Sequence, residues 1–239
     1  MQLIIDWAKN RWHRDIVSHP VIHGWVLNLY RAGERYPQTV CDYFPWTFAP
    51  NEEIASLLRR HARDEERHTA MYTHAIHAME QPVMEMDDPD VFNFVIRRFT
   101  TESFTIVASD DAESRRVKLA HFFAHAHFLE KRIARSLEYH LDACTRGGAA
   151  DAERVVSAVL ADERRHVEYT ASVARELLAR DEAARTFEHH RRAEAIANLQ
   201  FSQRQVRTFT RRYAALMPLN RVPLYRACAF LMEQAAAHV

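Results

Sequence analysis

One five-residue pattern occurs twice in this chain. Asp64-Glu65-Glu66-Arg67-His68 and Asp162-Glu163-Arg164-Arg165-His166 both read D-E-x-R-H. A Glu followed three residues later by a His means little alone. With 19 Glu and 15 His in 239 residues, about one such pair arises by chance. Requiring the Asp and the Arg as well lowers the chance expectation to roughly 0.01 per chain, so two copies demand a physical reason. On a helix, residues i and i+3 lie one turn apart on the same face. Each motif therefore presents a carboxylate oxygen and an imidazole nitrogen to one point, a donor pair suited to iron, manganese or zinc. Any fold this chain adopts must bring those two helix faces to a common interior.

The rest of the sequence agrees with such a fold. Four Gly in 239 residues, with apolar positions recurring at three and four residues, predict a nearly all-helical protein large enough to bury a sizeable core. The 32 basic residues, 29 of them Arg, balance 32 acidic ones. This leaves no electrostatic footprint for nucleic acid or an anionic membrane. Cys41, Cys144 and Cys228 form no C-x-x-C pair. They read as small buried hydrophobes in a reducing compartment, not as a disulfide frame, a zinc ribbon or a rubredoxin centre. The first 15 residues lack the uninterrupted apolar core of a signal peptide, and no apolar run approaches 18 residues. A soluble, cytoplasmic protein is expected.

Start and stop signals divide the chain into helices. An amphipathic lead over about 2–16 precedes Ser18-His19-Pro20, which reads as a helix start. Helix 1 then runs through Trp25, Leu29 and Tyr30 to at least Tyr36, where Pro37 ends or kinks it. Asn51 opens helix 2, continuing to about Glu80. A break over 82–90 and a crossover over 91–110, with the apolar segment Val91 to Phe99, lead to helix 3, from Asp110 or Asp111 to Gly147-Gly148. Asp151 opens helix 4, to about Arg180, and two more helices follow over roughly 182–217 and 222–237. Two short loops with one long crossover between helices 2 and 3 is the connectivity of ferritin-like bundles. We read one domain over 1–239, with a four-helix core at 18–180 and a helical extension at 181–239.

The halves repeat. The two motifs align at an offset of 98 residues, and Glu34 aligns with Glu130 at an offset of 96. Glu34 stands 31 residues before Glu65, and Glu130 stands 33 before Glu163. Antiparallel helices joined by a loop bring such partners to the same height, which adds one carboxylate per half. Four carboxylates buried alone are prohibitive, but two divalent cations neutralise them. Asp64 and Asp162 are expected outside the ligands, each holding the imidazole of the opposite motif by its free N–H. Arg67 and Arg165 would then balance the charge of those two Asp.

Glu34-x29-D-E-E-R-H and Glu130-x31-D-E-R-R-H together resemble the doubled signature of the di-iron carboxylate enzymes of the ferritin-like superfamily. That group includes bacterial multicomponent monooxygenases, the radical-generating subunit of class I ribonucleotide reductase and aldehyde-deformylating oxygenases. The resemblance covers about residues 20–180. It implies two iron ions, or a manganese–iron pair, activating O2. Metal ligands would be Glu34, Glu65, His68, Glu130, Glu163 and His166, with Glu65 and Glu163 bridging at the catalytic centre and Glu34 and Glu130 terminal. In length the chain is closest to stand-alone oxygenases that carry helices after the bundle. Because Pro37 follows Glu34 by three residues, helix 1 is expected to continue past a kink if Glu34 is to sit mid-bundle.

Other residues admit plainer readings. His127 shares a face with Glu130 and reads as a neighbour of the site or a core histidine before a ligand. Tyr72 and Tyr169 follow the ligand histidines and are expected to pack near them. Phe122, Phe123, Ile133, Leu137 and Tyr30 are core residues that also qualify as pocket lining. His189 to Arg192 reads as a solvated face rather than an RNA contact. The resulting expectation is an O2-dependent oxygenase acting on a small, largely apolar organic molecule, fed by a ferredoxin or reductase, with a homodimer compatible. A ferroxidase or rubrerythrin-like peroxidase is the second reading, and a non-enzymatic helical module with a structural metal the third.

Overall fold

Local capping chemistry fixes where the helices begin and end. The computed structural model describes residues 2–35 and 43–236. Tyr36, Pro37 and Cys41, which carry the expected kink of helix 1 and one of the three thiols, lie outside those residues. Helix α1 spans Gln2–Val17 and α2 spans Pro20–Glu34, with Pro20 in the first turn. There its missing N–H costs nothing and its fixed φ suits the helix. Helix α3 spans Glu52–Ala78, and its N-cap Asn51 accepts a hydrogen bond from the Ile54 amide. Asp111 caps α6, Ala112–Gly147, by accepting from the Ser114 amide. Gly148 then ends α6 at φ 68°, the left-handed conformation that glycine adopts without steric cost. Helix α7, Ala150–Glu176, follows at once.

The crossover from α3 to α6 contains two short helices, α4 at Phe92–Arg97 and α5 at Thr101–Phe104. The apolar stretch there winds into α4 because Phe92, Val95 and Ile96 fall on one face and bury against Leu129 and Ala197. Helix α8 spans Arg180–Tyr213 and α9 spans Arg221–Ala236. Two of these bounds differ from the sequence expectation. The fourth core helix stops at Glu176 rather than near Arg180, and α2 ends at Glu34. Glu34 is therefore the last residue of α2, and the Arg35 amide closes the helix on Arg31 and Gly33.

The described chain is all-helical, without a strand. Helix α2 packs along α3, α6 along α7, and α3 faces α7, so two hairpins meet through the helices that carry the two motifs. Apolar residues form two layers across this group. One holds Leu58 and Ala62 of α3, Phe122 and Phe123 of α6, and Val173 and Ala174 of α7. The other holds Leu27 of α2, Tyr72 and Ile76 of α3, Leu137 of α6, and Val156 of α7. Residues 64–68, Glu130 and 162–166 fall between the layers on every helix concerned. The motifs thus occupy a polar belt closed above and below by hydrocarbon. Helix α1 lies against α6 and α2, while α8 and α9 cover the outside through a further cluster built on Trp25, Phe209 and Tyr213. No described helix is long and apolar enough to cross a membrane.

Because Asn51 supplies the only side-chain acceptor at the start of a motif helix, Asn51→Ala is expected to cost about 1 kcal/mol. Urea unfolding followed by circular dichroism would measure this as a lower midpoint at unchanged slope.

Candidate metal centre

The belt brings all six expected donors together. Glu34, Glu65, His68 and Glu163 form one group whose candidate ligand atoms lie within 4.8 Å of one another, and His61, Glu65, Glu130 and His166 form a second. Glu65 belongs to both. Glu163 also reaches across, with Oε1 3.3 Å from His68 Nδ1 and Oε2 3.1 Å from His166 Nδ1. Glu34 Oε2 lies 3.2 Å from His68 Nδ1. Its place at the end of α2 still brings it to the height of the motif on α3. All of these side chains except the part-buried Glu65 are buried, and Glu163 and His68 are fully enclosed.

The two imidazoles are held alike, by the partner half in each case. His68 Nε2 contacts Asp162 Oδ2 at 3.0 Å, and His166 Nε2 contacts Asp64 Oδ2 at 3.3 Å. An N–H donated there leaves the Nδ1 lone pair facing the centre, which is how a carboxylate orients a metal-binding histidine. The Asp charges are met in turn. Arg67 bridges Asp64, at 2.6 Å, and Asp162. Arg165 likewise spans Asp162 and Asp64, the latter at 3.5 Å. This outer square is internally neutral, so it fixes orientation without adding charge to the centre.

His61 is the member that sequence reasoning missed. Its Nε2 lies 3.1 Å from Glu65 Oε1 and 3.3 Å from Glu130 Oε1. Its ring stacks on His166 at 3.6 Å between centroids, and Tyr169 Oη meets its Nδ1 at 2.6 Å. The spacing was visible, because 61, 65 and 68 are i, i+4 and i+7 on one face. It has no partner in the second half, however. At the 98-residue offset the matching position is Val159, and that of Tyr169 is Met71. The pseudo-symmetry is therefore broken at the centre itself, and one donor group has two imidazoles where the other has one.

Electrostatics bear on whether a cation fits. Burial and then repulsion from Glu34 push Glu65 up to about 7. Burial pushes Glu163 well above the usual carboxylate range, reinforced by Glu130 and Glu65, and burial likewise raises Glu34. For His68, burial opposes the charged form, yet hydrogen bonds to Glu163 and Glu34 lift it to about 12. For Glu130, burial opposes ionisation, but the His61 contact brings it down to about 2. Protons shared among these groups thus stand in for missing positive charge. Three buried atoms facing the same space, His61 Nε2, Glu65 Oε1 and Glu163 Oε1, complete no hydrogen bond despite their close approaches. Atoms that are near but unaligned for hydrogen bonds are disposed to share a cation. The donor set therefore fits two divalent ions, whose four positive charges would match Glu34, Glu65, Glu130 and Glu163.

The remaining candidates separate cleanly. His127 turns away, with Nδ1 3.0 Å from the Val167 carbonyl, and joins neither donor group. Tyr72 is fully buried, and its hydroxyl has no hydrogen-bond partner. Ile133, Leu137 and Tyr30 pack in the apolar layer beside Leu27 and Tyr72. Phe122 lines a cavity of about 440 Å³, together with Tyr43, Phe44, Trp46, Arg97 and Phe104. That volume lies in the range of small-molecule sites. Phe44 lines it too and packs on His61 at 4.6 Å, and the buried Tyr43 hydroxyl has no partner. Tyr43 and Phe44 were not anticipated, since the sequence around them shows no apolar period. In the 189–192 stretch, Arg191 and Arg192 pair with Glu188 on the surface, whereas His190 is fully buried beside His121, so not all of it is solvated.

Comparison of the chain with family models, with curated proteins and with solved structures finds no match.

Two measurements follow from this geometry. Purified protein is expected to take up two divalent ions per chain by elemental analysis, and His61→Val, which restores the symmetry, is expected to weaken one of them by at least about 10-fold. Removing the ions exposes the carboxylates to mutual repulsion. At free metal a hundred times the dissociation constant, each bound ion contributes about 2.7 kcal/mol, so two contribute about 5.4 kcal/mol. Chelation should therefore lower the melting temperature by roughly 10–20 °C in a calorimetric scan.

Proposed function

We propose that this chain is a ferritin-like di-metal oxidoreductase that activates O2 and oxidises a small, largely apolar organic molecule. The observation that carries the reading is the convergence of four carboxylates, three of them buried and Glu65 part-buried, and three imidazoles on one space, with three donor atoms unsatisfied. A mixed oxygen and nitrogen donor set of this kind suits iron or a manganese–iron pair. Such a pair, when bound, supplies the redox chemistry that activates O2. On this reading residues 18–180 form the metal-binding bundle and 181–239 extend the same domain. A ferredoxin or reductase supplies electrons.

The chain's own residues divide the work. Glu65 and Glu163 span both donor groups and fix the separation of the two positions. Glu34 and Glu130 close the outer ends. Asp162 and Asp64 hold the imidazole tautomers, and Tyr169 orients His61 through Nδ1. Phe122, Phe123 and Leu58 keep bulk water from one side of the belt. The cavity beside Phe44 offers aromatic walls to an apolar substrate.

Protein loaded anaerobically with ferrous ion is expected to consume O2 rapidly on an oxygen electrode. Glu65→Ala and Glu163→Ala should abolish the uptake. With small aromatic and aliphatic compounds present, labelled O2 should appear in an organic product. Ferric iron retained in an assembly of about 24 subunits, with no product, would instead support the ferroxidase reading.

A further inference from the structure

A second group of donors lies apart from the carboxylate belt, where the start of α2 meets the last turns of α6. His23, in the first turn of α2, is 11 residues from Glu34, or roughly 16 Å along the helix axis. His23 Nε2 and His140 Nε2 are 3.0 Å apart, and Cys144 Sγ lies 3.9 Å from His23 Nε2. The three candidate ligand atoms fall within 4.8 Å of one another, and all three side chains are buried. His140 and Cys144 are i and i+4 on α6, so one helix presents both to the same point. No carboxylate takes part, in contrast to the belt.

The surroundings prepare this point for a cation. His140 Nδ1 is 3.3 Å from His13 Nδ1 and 3.3 Å from Tyr30 Oη. An N–H on that nitrogen has an acceptor in either direction, which leaves the Nε2 lone pair aimed at His23 and Cys144. A metal-binding histidine is oriented in this way, by an outer partner on its other nitrogen. Burial holds His13 down to about 3 and His23 down to about 4, and pushes Cys144 up to about 12. The ligand-free pocket is therefore neutral, and both imidazoles keep lone pairs. Two imidazole nitrogens and a sulfur form a soft donor set, selective for monovalent copper or zinc over the harder ions that carboxylates favour. Charge decides between them. A monovalent cation with one thiolate leaves the buried ligand set neutral, whereas a divalent ion leaves it with a net positive charge, faced only by the carboxylate of Glu153 that acts on Cys144.

We propose that His23, His140 and Cys144 form a mononuclear binding site for monovalent copper, separate from the carboxylate centre. Binding breaks the S–H bond of Cys144 and forms a copper–sulfur bond, releasing one proton to solvent. The His23 proton, which lies on Nε2 when that nitrogen donates to His140 across 3.0 Å, shifts to Nδ1, so that two nitrogen lone pairs complete the coordination, and no electron is transferred.

The test is anaerobic titration of the full chain with cuprous ion against a chromophoric chelator, with the divalent complement already loaded. One additional cuprous ion per chain is expected in the wild type and in Cys228→Ala. Affinity should fall at least 100-fold in Cys144→Ala and in His23→Gln. X-ray absorption on the wild type, which requires no variant to fold, should show one sulfur neighbour near the metal–thiolate distance of about 2.3 Å. Unchanged uptake in folded Cys144→Ala, a copper shell without sulfur, or no cuprous uptake by the wild type would each overturn the proposal. So would a preference for zinc over copper at this position. A failure here leaves the carboxylate centre untouched, because that centre is read out by divalent loading and O2 uptake.

Discussion

Everything in this molecule is arranged around one electrostatic problem, four carboxylates turned into a hydrophobic interior. Two like charges about 4 Å apart cost about 4 kcal/mol even at an effective dielectric of 20. The fold meets this by confining the acids to a belt between two apolar layers and facing them with imidazoles. Asp64, Asp162, Arg67 and Arg165 form a neutral square outside the belt. That square sets the two tautomers and adds nothing to the charge within. What remains is a space whose stable state requires positive charge, and in the absence of a cation shared protons supply it.

The asymmetry at His61 is the second constraint. The repeated motifs alone would produce two equivalent positions, and a symmetric site would treat two ions alike. His61 opposite Val159, with Tyr169 behind it, makes one position richer in nitrogen and places that position beside Phe44 and the aromatic cavity. A centre with one distinct end next to a chamber can treat O2 and an organic molecule differently at its two positions.

Much of this was legible in the sequence because helices convert spacing into geometry. The i, i+3 motifs, their duplication, and the intervals of 31 and 33 residues to Glu34 and Glu130 all describe faces of helices, and faces have periods. The exchange of Asp64 and Asp162 across halves followed from the same symmetry. His61 escaped because it breaks the repeat that made the other donors conspicuous, although it shares their face. The cavity escaped for another reason. Ile133 and Leu137 have the same period whether they meet protein or a void, and Tyr43 and Phe44 have no period at all. The pairing of His23 with His140 spans 117 residues, and nothing in a single sequence relates positions so far apart without a motif.

The central claim is that the belt holds two cations side by side between α3 and α7. Crystals of the iron-loaded protein, measured at the iron absorption edge, test it most directly. Two anomalous peaks are expected, both bordered by Glu65 and Glu163, one next to Glu34 and His68 and the other next to His61, Glu130 and His166. A belt with no peak, or a single peak in tetrahedral coordination, would contradict the account.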